Sequence, residues 1–141
     1  MKSVLSLCGI FIALVLCSGR CESDEPCPED IICSMVFKSI SIEIVDRQGE
    51  HVGLSKAELR SEYLNNPIDI ITDSATGMPY QIINDGHMKF LNHQQARTFV
   101  FKGWINDSLV VNEPYKIRHD CCHVLLQSGP EKIIIDHQTP E

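Results

Sequence analysis

The sequence predicts an all-β fold, an antiparallel β-sandwich of about seven to eight strands with at most one short helix. Three observations carry this reading. Short runs alternate apolar with polar residues, the pattern of a half-buried strand. Turn-forming clusters of Asn, Asp, Ser, Gly and Pro separate those runs at intervals of about 8–12 residues. The composition, 43% hydrophobic and 22% charged over 141 residues, is that of one ordinary globular domain. A net charge of −7, with no clustered Lys/Arg run, excludes nucleic acid as a partner.

Met1-Lys2-Ser3 leads into an apolar run at 4–17 that ends at Ser18-Gly19-Arg20. A basic start and an apolar stretch shorter than the roughly 20 residues of a membrane span are the layout of a secretory signal. Residues 1–20 are therefore set apart from the fold. Losing them removes Lys2 and Arg20 but no acid, which takes the net charge from −7 to −9. Residues 21–33 read as a polar tether, with Pro26, Pro28 and the acids Glu22, Asp24, Glu25, Glu29 and Asp30. Residues 34–141 are the sandwich domain.

Along that domain, Val36, Ile40, Ile42 and Ile44 share one parity and mark the first strand, closed by Asp46-Arg47-Gln48-Gly49. Ser55-Lys56-Ala57-Glu58 fits a capping box, with Leu59 and Tyr63 four apart and Asn65-Asn66-Pro67 as a stop, which predicts one short helix. An irregular edge strand is the competing reading there. Further strands are expected at 68–72, 79–83, 88–91, 98–104, 109–117, 124–127 and 132–136. Asp73-Ser74-Ala75-Thr76-Gly77, Asn84-Asp85-Gly86, Asn106-Asp107-Ser108 and Ser128-Gly129-Pro130 fall between them as turns.

An exported chain folds where thiols oxidise, so its cysteines are first read as disulfide partners. Cys17 and Cys21 both sit where the acylated cysteine of a bacterial lipoprotein sits. Five cysteines follow residue 20, an odd number. Lipidation of Cys21, with Cys17 as the alternative, leaves Cys27, Cys33, Cys121 and Cys122 as two pairs. A bond from Cys27 or Cys33 to Cys121 or Cys122 would close a loop of about 90 residues.

The densest group of chemically capable side chains is His119-Asp120-Cys121-Cys122-His123. On an unbroken strand His119, Cys121 and His123 share a face with Tyr115 and Ile117, a ligand set suited to Zn or Cu. Val124 and Leu126 have the opposite parity, which places a bulge or turn near Asp120 and separates those ligands. Oxidised cysteines with hydrogen-bonded histidines are the preferred reading, so no metal and no other cofactor is expected. No nucleophile-elbow Gly-x-Ser-x-Gly, calcium loop or phosphate-cradling loop occurs, and the chain reads as non-enzymatic. Phe99 and Phe101 are expected in the core, with Trp104 on the opposite face as a candidate binding aromatic.

Two resemblances extend this reading. The strand at 40–45 followed by Asp46-Arg47-Gln48-Gly49-Glu50-His51-Val52 resembles the D-x-x-G-x-x-V start of carboxypeptidase regulatory-like, transthyretin-like sandwiches. Cys33 before the first strand and the late Asp120-Cys121-Cys122-His123-Val124 resemble a group of small Bacteroidetes exported proteins and lipoproteins, and Glu22-Ser23-Asp24-Glu25 resembles their surface-export signal. The resemblance implies a transthyretin-like or immunoglobulin-like sandwich in the cell envelope. It also implies an outer-membrane lipoprotein, or otherwise a secreted protein, held to the membrane by a lipid anchor only. It supplies no activity, and a protein or glycan of the envelope is the expected partner. Transthyretin-like hydrolases end in Tyr-Arg-Gly-Ser, which the end of this chain, Asp136-His137-Gln138-Thr139-Pro140-Glu141, lacks.

Overall fold

The computed structural model describes residues 26–72 and 78–136. The signal, Cys17, Cys21, Glu22 to Glu25 and the turn at 73–77 lie outside the described residues. Within them the chain is all-β, in two sheets. In order, the strands are β1 (Ser39–Val45), β2 (Lys56–Arg60), β3 (Ile68–Ile70), β4 (Tyr80–Asn84), β5 (Arg97–Ile105), β6 (Ser108–His119), β7 (Val124–Ser128) and β8 (Lys132–Ile134). One sheet has the order β4-β1-β8 and the other β3-β2-β5-β6-β7.

Alternation decides which side chains fill the space between the sheets. Ile40, Ile42 and Ile44 of β1 point inward while Ser39 and Ser41 stay exposed. Phe99 and Phe101 of β5 are fully buried, as are Leu59 of β2, Ile82 of β4, and Tyr115 and Ile117 of β6. Asp46-Arg47-Gln48-Gly49 forms the expected turn. Asp46 Oδ1 accepts from Gln48 N (2.8 Å) and Glu50 N (2.9 Å), and Gly49 takes φ +88°, which a Cβ would disfavour. Val52 N then donates back to Ile44 O (2.9 Å).

Four features depart from the sequence expectation. First, residues 56–60 form a strand, not a helix, and not an edge strand either, because β2 lies between β3 and β5. The run Lys-Ala-Glu-Leu-Arg alternates with period two, and Ser55 spends its hydroxyl on Trp104 O (3.0 Å) in place of a helix cap. Glu58 is buried on this strand between Arg60 and Lys56 (3.7 Å), and its hydrogen bond from Arg60 holds its carboxyl below the usual range despite the cost of burial. Second, residues 88–91 are not a strand. A 3-10 helix runs over Asp85–Phe90, started by Asn84, whose side chain accepts from Gly86 N. Third, β8 runs parallel to β1, so the sandwich is not purely antiparallel. The first strand also begins at Ser39, leaving Val36 and Phe37 exposed.

The chain crosses between sheets just after β7, through Gly129 and Pro130. Gly129 has φ +133°, and a Cβ there would collide with the Tyr115 ring. The Tyr115 hydroxyl donates to Pro130 O (2.8 Å), and burial, reinforced by Glu113, pushes this phenol well above its ordinary pKa, so it remains a donor. Gly129→Ala is therefore expected to destabilise the domain by at least the cost of the backbone strain, about 1–3 kcal/mol, seen as a lowered denaturant midpoint at unchanged m-value.

Candidate functional site

The chemistry-bearing residues gather where β6 ends. Its inward parity continues to His119, which is buried, and the strand then stops. Asp120 makes the turn. Its N–H donates to His123 O (3.0 Å), and its Oδ1 accepts from Cys122 N (3.0 Å) and His123 N (2.7 Å). Partial burial raises the Asp120 pKa, but these backbone donors outweigh it and hold the carboxyl below its ordinary value. Cys121 sits in the left-handed region at φ +74°, and its N–H donates to His119 Nδ1 (3.0 Å). That bond places the His119 proton on Nε2, and burial, with His93 nearby, pushes its pKa down and keeps it neutral.

Two disulfides join this turn to the segment before β1. Cys27 bonds Cys121 (Cα–Cα 5.7 Å) and Cys33 bonds Cys122 (Cα–Cα 5.3 Å), across 94 and 89 residues of sequence. Residues 27–33 of the expected polar tether are thus an arm pinned to the domain, by bonds of the kind its cysteines led us to expect.

Beside the second bridge, three side chains from separate segments form a chain of hydrogen bonds. Asp85, at the start of the 3-10 helix, accepts through Oδ2 from Lys38 N (2.7 Å) and through Oδ1 from Val124 N (2.8 Å). Its Oδ2 also lies 2.9 Å from His123 Nδ1, and His123 Nε2 lies 2.8 Å from Ser34 Oγ. Burial raises the Asp85 pKa, and the donors from Lys38, His123 and Val124 more than reverse this. An ionised carboxylate only accepts, so His123 Nδ1 carries a proton, and in the neutral imidazole Nε2 is left to accept from the Ser34 hydroxyl. The His123 and Asp85 side chains are only 9% and 11% exposed, while Ser34 faces solvent.

The structure does not bring His119, Cys121 and His123 together as a ligand set. The Cys121 sulfur is bonded to Cys27, both His123 nitrogens are engaged, and the turn at Asp120 points the two histidines into different surroundings. The metal-capable atoms that do converge among the described residues are those of Cys27, His93 and Cys121, within 4.8 Å of one another. Two of these are the sulfurs of one disulfide, which are not thiolates. Cys27 and His93 border a cleft of about 400 Å³, shared with Pro26, Arg97 and His119. Trp104 is half-buried, with the Lys56 ammonium 5.0 Å from its ring centre.

Sequence reasoning singled out neither Ser34 nor Asp85 as partners of His123, because 89 and 38 residues separate them from it. A signal was present: Ser34 follows Cys33 and His123 follows Cys122, so a Cys33–Cys122 bond makes their neighbours meet. Comparison with protein-family models, curated proteins and solved structures finds no match for this chain.

Two predictions follow from the geometry of the turn. Because the bridges are nearly parallel, either one alone still closes the long loop, and the other adds only a ring of about nine residues. In the chain-entropy model, removing one pair (Cys27→Ala with Cys121→Ala, or Cys33→Ala with Cys122→Ala) should cost about 2.5 kcal/mol and removing both about 7 kcal/mol. Denaturant unfolding of the three variants measures this. Asp85, Asp120 and Glu58 all have folded pKa values below their ordinary ones, so their stabilisation is complete above the unfolded values and lost as pH falls through the folded ones. The melting temperature should drop as pH is lowered from about 5 to 3, and Asp120→Asn should start lower and drop less steeply.

Proposed function

We propose that this chain is an exported sandwich protein, tethered to the cell envelope by a lipid on Cys21, where it binds or scaffolds a protein or glycan. The observation that supports this reading is the pair of disulfides. Such bonds persist in oxidising compartments outside the cytosol, and here they use every cysteine after residue 21. Cys21 is then the one left over, in the position suited to a lipid. The spacing fits an anchor as well. Only the residues between Cys21 and Cys27 separate the acylated end from the first bridge, a reach of about 20 Å at full extension. An anchored copy therefore stays close to the membrane surface, with its orientation restricted by two bonds to the arm. The transthyretin-like affinity belongs to the same proposal, supported by the Asp46–Gly49 turn and the return through Val52.

Mass analysis of the mature N-terminus is the test. The expected result is a chain beginning at Cys21 and carrying lipid, with Cys21→Ser shifting the protein from the membrane fraction to the soluble one. An unmodified N-terminus at or near Ser18 or Gly19 would overturn the anchor.

A further inference from the structure

From the chain Asp85–His123–Ser34 we infer that Ser34 is an activated nucleophile, able to accept the acyl group of an apolar ester. Three features of the geometry support it. The order of atoms is that of a serine activated by an oriented base: carboxylate to Nδ1, Nε2 to hydroxyl, at 2.9 and 2.8 Å. The base is held firmly. Asp85 is fixed by the N–H groups of Lys38 and Val124, and His123 by its own N–H to Asp120. The nucleophile is held to the base covalently, since the Cys33–Cys122 bond joins the residues immediately preceding Ser34 and His123.

The surroundings select the substrate class. Ser34 is open to solvent, and the chain around it presents Ile32 (95% exposed), Met35 (102%), Val36 (63%) and Phe37 (67%). An ester with an apolar acyl group suits that surface better than a charged one. In the step itself, Ser34 Oγ forms a bond to the acyl carbon as its proton passes to His123 Nε2. The ester C–O bond breaks, and the imidazolium returns the proton to the departing alcohol. Water, deprotonated by the same nitrogen, then adds to the acyl carbon, the bond from that carbon to Ser34 Oγ breaks, and the imidazolium returns the proton to Oγ as the acid leaves. Asp85 is a positioning residue that sets the tautomer and orientation of His123.

Acylation by p-nitrophenyl butyrate, quenched with acid in its first moments before the acyl-serine hydrolyses and followed by peptide mass mapping of the disulfide-bonded protein, tests this. The exposed Ser108 serves as reference within the same molecule. Ser34 should be butyrylated at least about 100-fold faster than Ser108. His123→Gln should bring Ser34 down to the Ser108 rate, and Asp85→Asn should lower the ratio of the two rates, a readout that a purely structural role would leave unchanged. Ser34→Ala should still unfold cooperatively and lose the fast adduct. Equal rates at Ser34 and Ser108 in the unaltered protein would overturn the inference, whether or not any variant folds. So would fast Ser34 acylation that persists in folded His123→Gln.

Discussion

From residue 28 to residue 39 every side chain is exposed, and the first strand has not yet begun. The hydrophobic effect therefore does little to hold this arm against the sandwich. Two sulfur–sulfur bonds do so instead, ending on adjacent cysteines in one tight turn. Much else depends on that constraint. Cys121 keeps a left-handed backbone that a non-glycine residue avoids, at a cost of about 1–3 kcal/mol, because its sulfur and its N–H are both engaged. Ser34 stays within hydrogen-bonding distance of a histidine 89 residues away.

Around the turn, polar groups form a connected set in which His119 and His123 are buried, Asp85 is half-buried and Asp120 is exposed. Asp120 caps the turn's own backbone, Asp85 caps the start of β7 through Val124 N, and the histidines receive or donate according to what those carboxylates leave free. Left unpaired, the poorly exposed Asp85 carboxylate would be costly, so its three donors and its place in the network stabilise one another. This separates the two histidines chemically. His119 faces the cleft beside His93 as a neutral group, and His123 is oriented by a charge.

The strands were legible in the sequence wherever period-two alternation met a turn signal. Ile40, Ile42 and Ile44, Phe99 and Phe101, and Tyr115 with Ile117 all point inward as their parity requires. The parity break after His119 also announced the turn at Asp120. Residues 56–60 misled because Ser55 and Glu58 have helix-capping spacing. The same five residues alternate as a strand, and the buried Glu58 is offset by cations at its own i−2 and i+2 positions and by Lys102 opposite. Residues 88–91 misled because a short apolar run has no period of its own, and Asn84 with His87 decided for a 3-10 turn. Ser34, Asp85 and His123 could not be assembled from local pattern. Their meeting depends on which cysteine bonds which, a choice among three pairings that spacing does not resolve.

The parallel pairing of β1 with β8 bears on how the chain is built. β1 is the central strand of its sheet, yet one neighbour, β8, is synthesised roughly 90 residues later, near the same delay as both disulfides. A chain made from its N-terminus onward carries β1 with an open edge until its last strand is made, the arrangement most prone to wrong strand pairing. The last strand thus closes the sheet only after the cysteines of the turn have already been made. A fragment ending before Lys132 would keep most of its strands and still lack the partner that seals its first one.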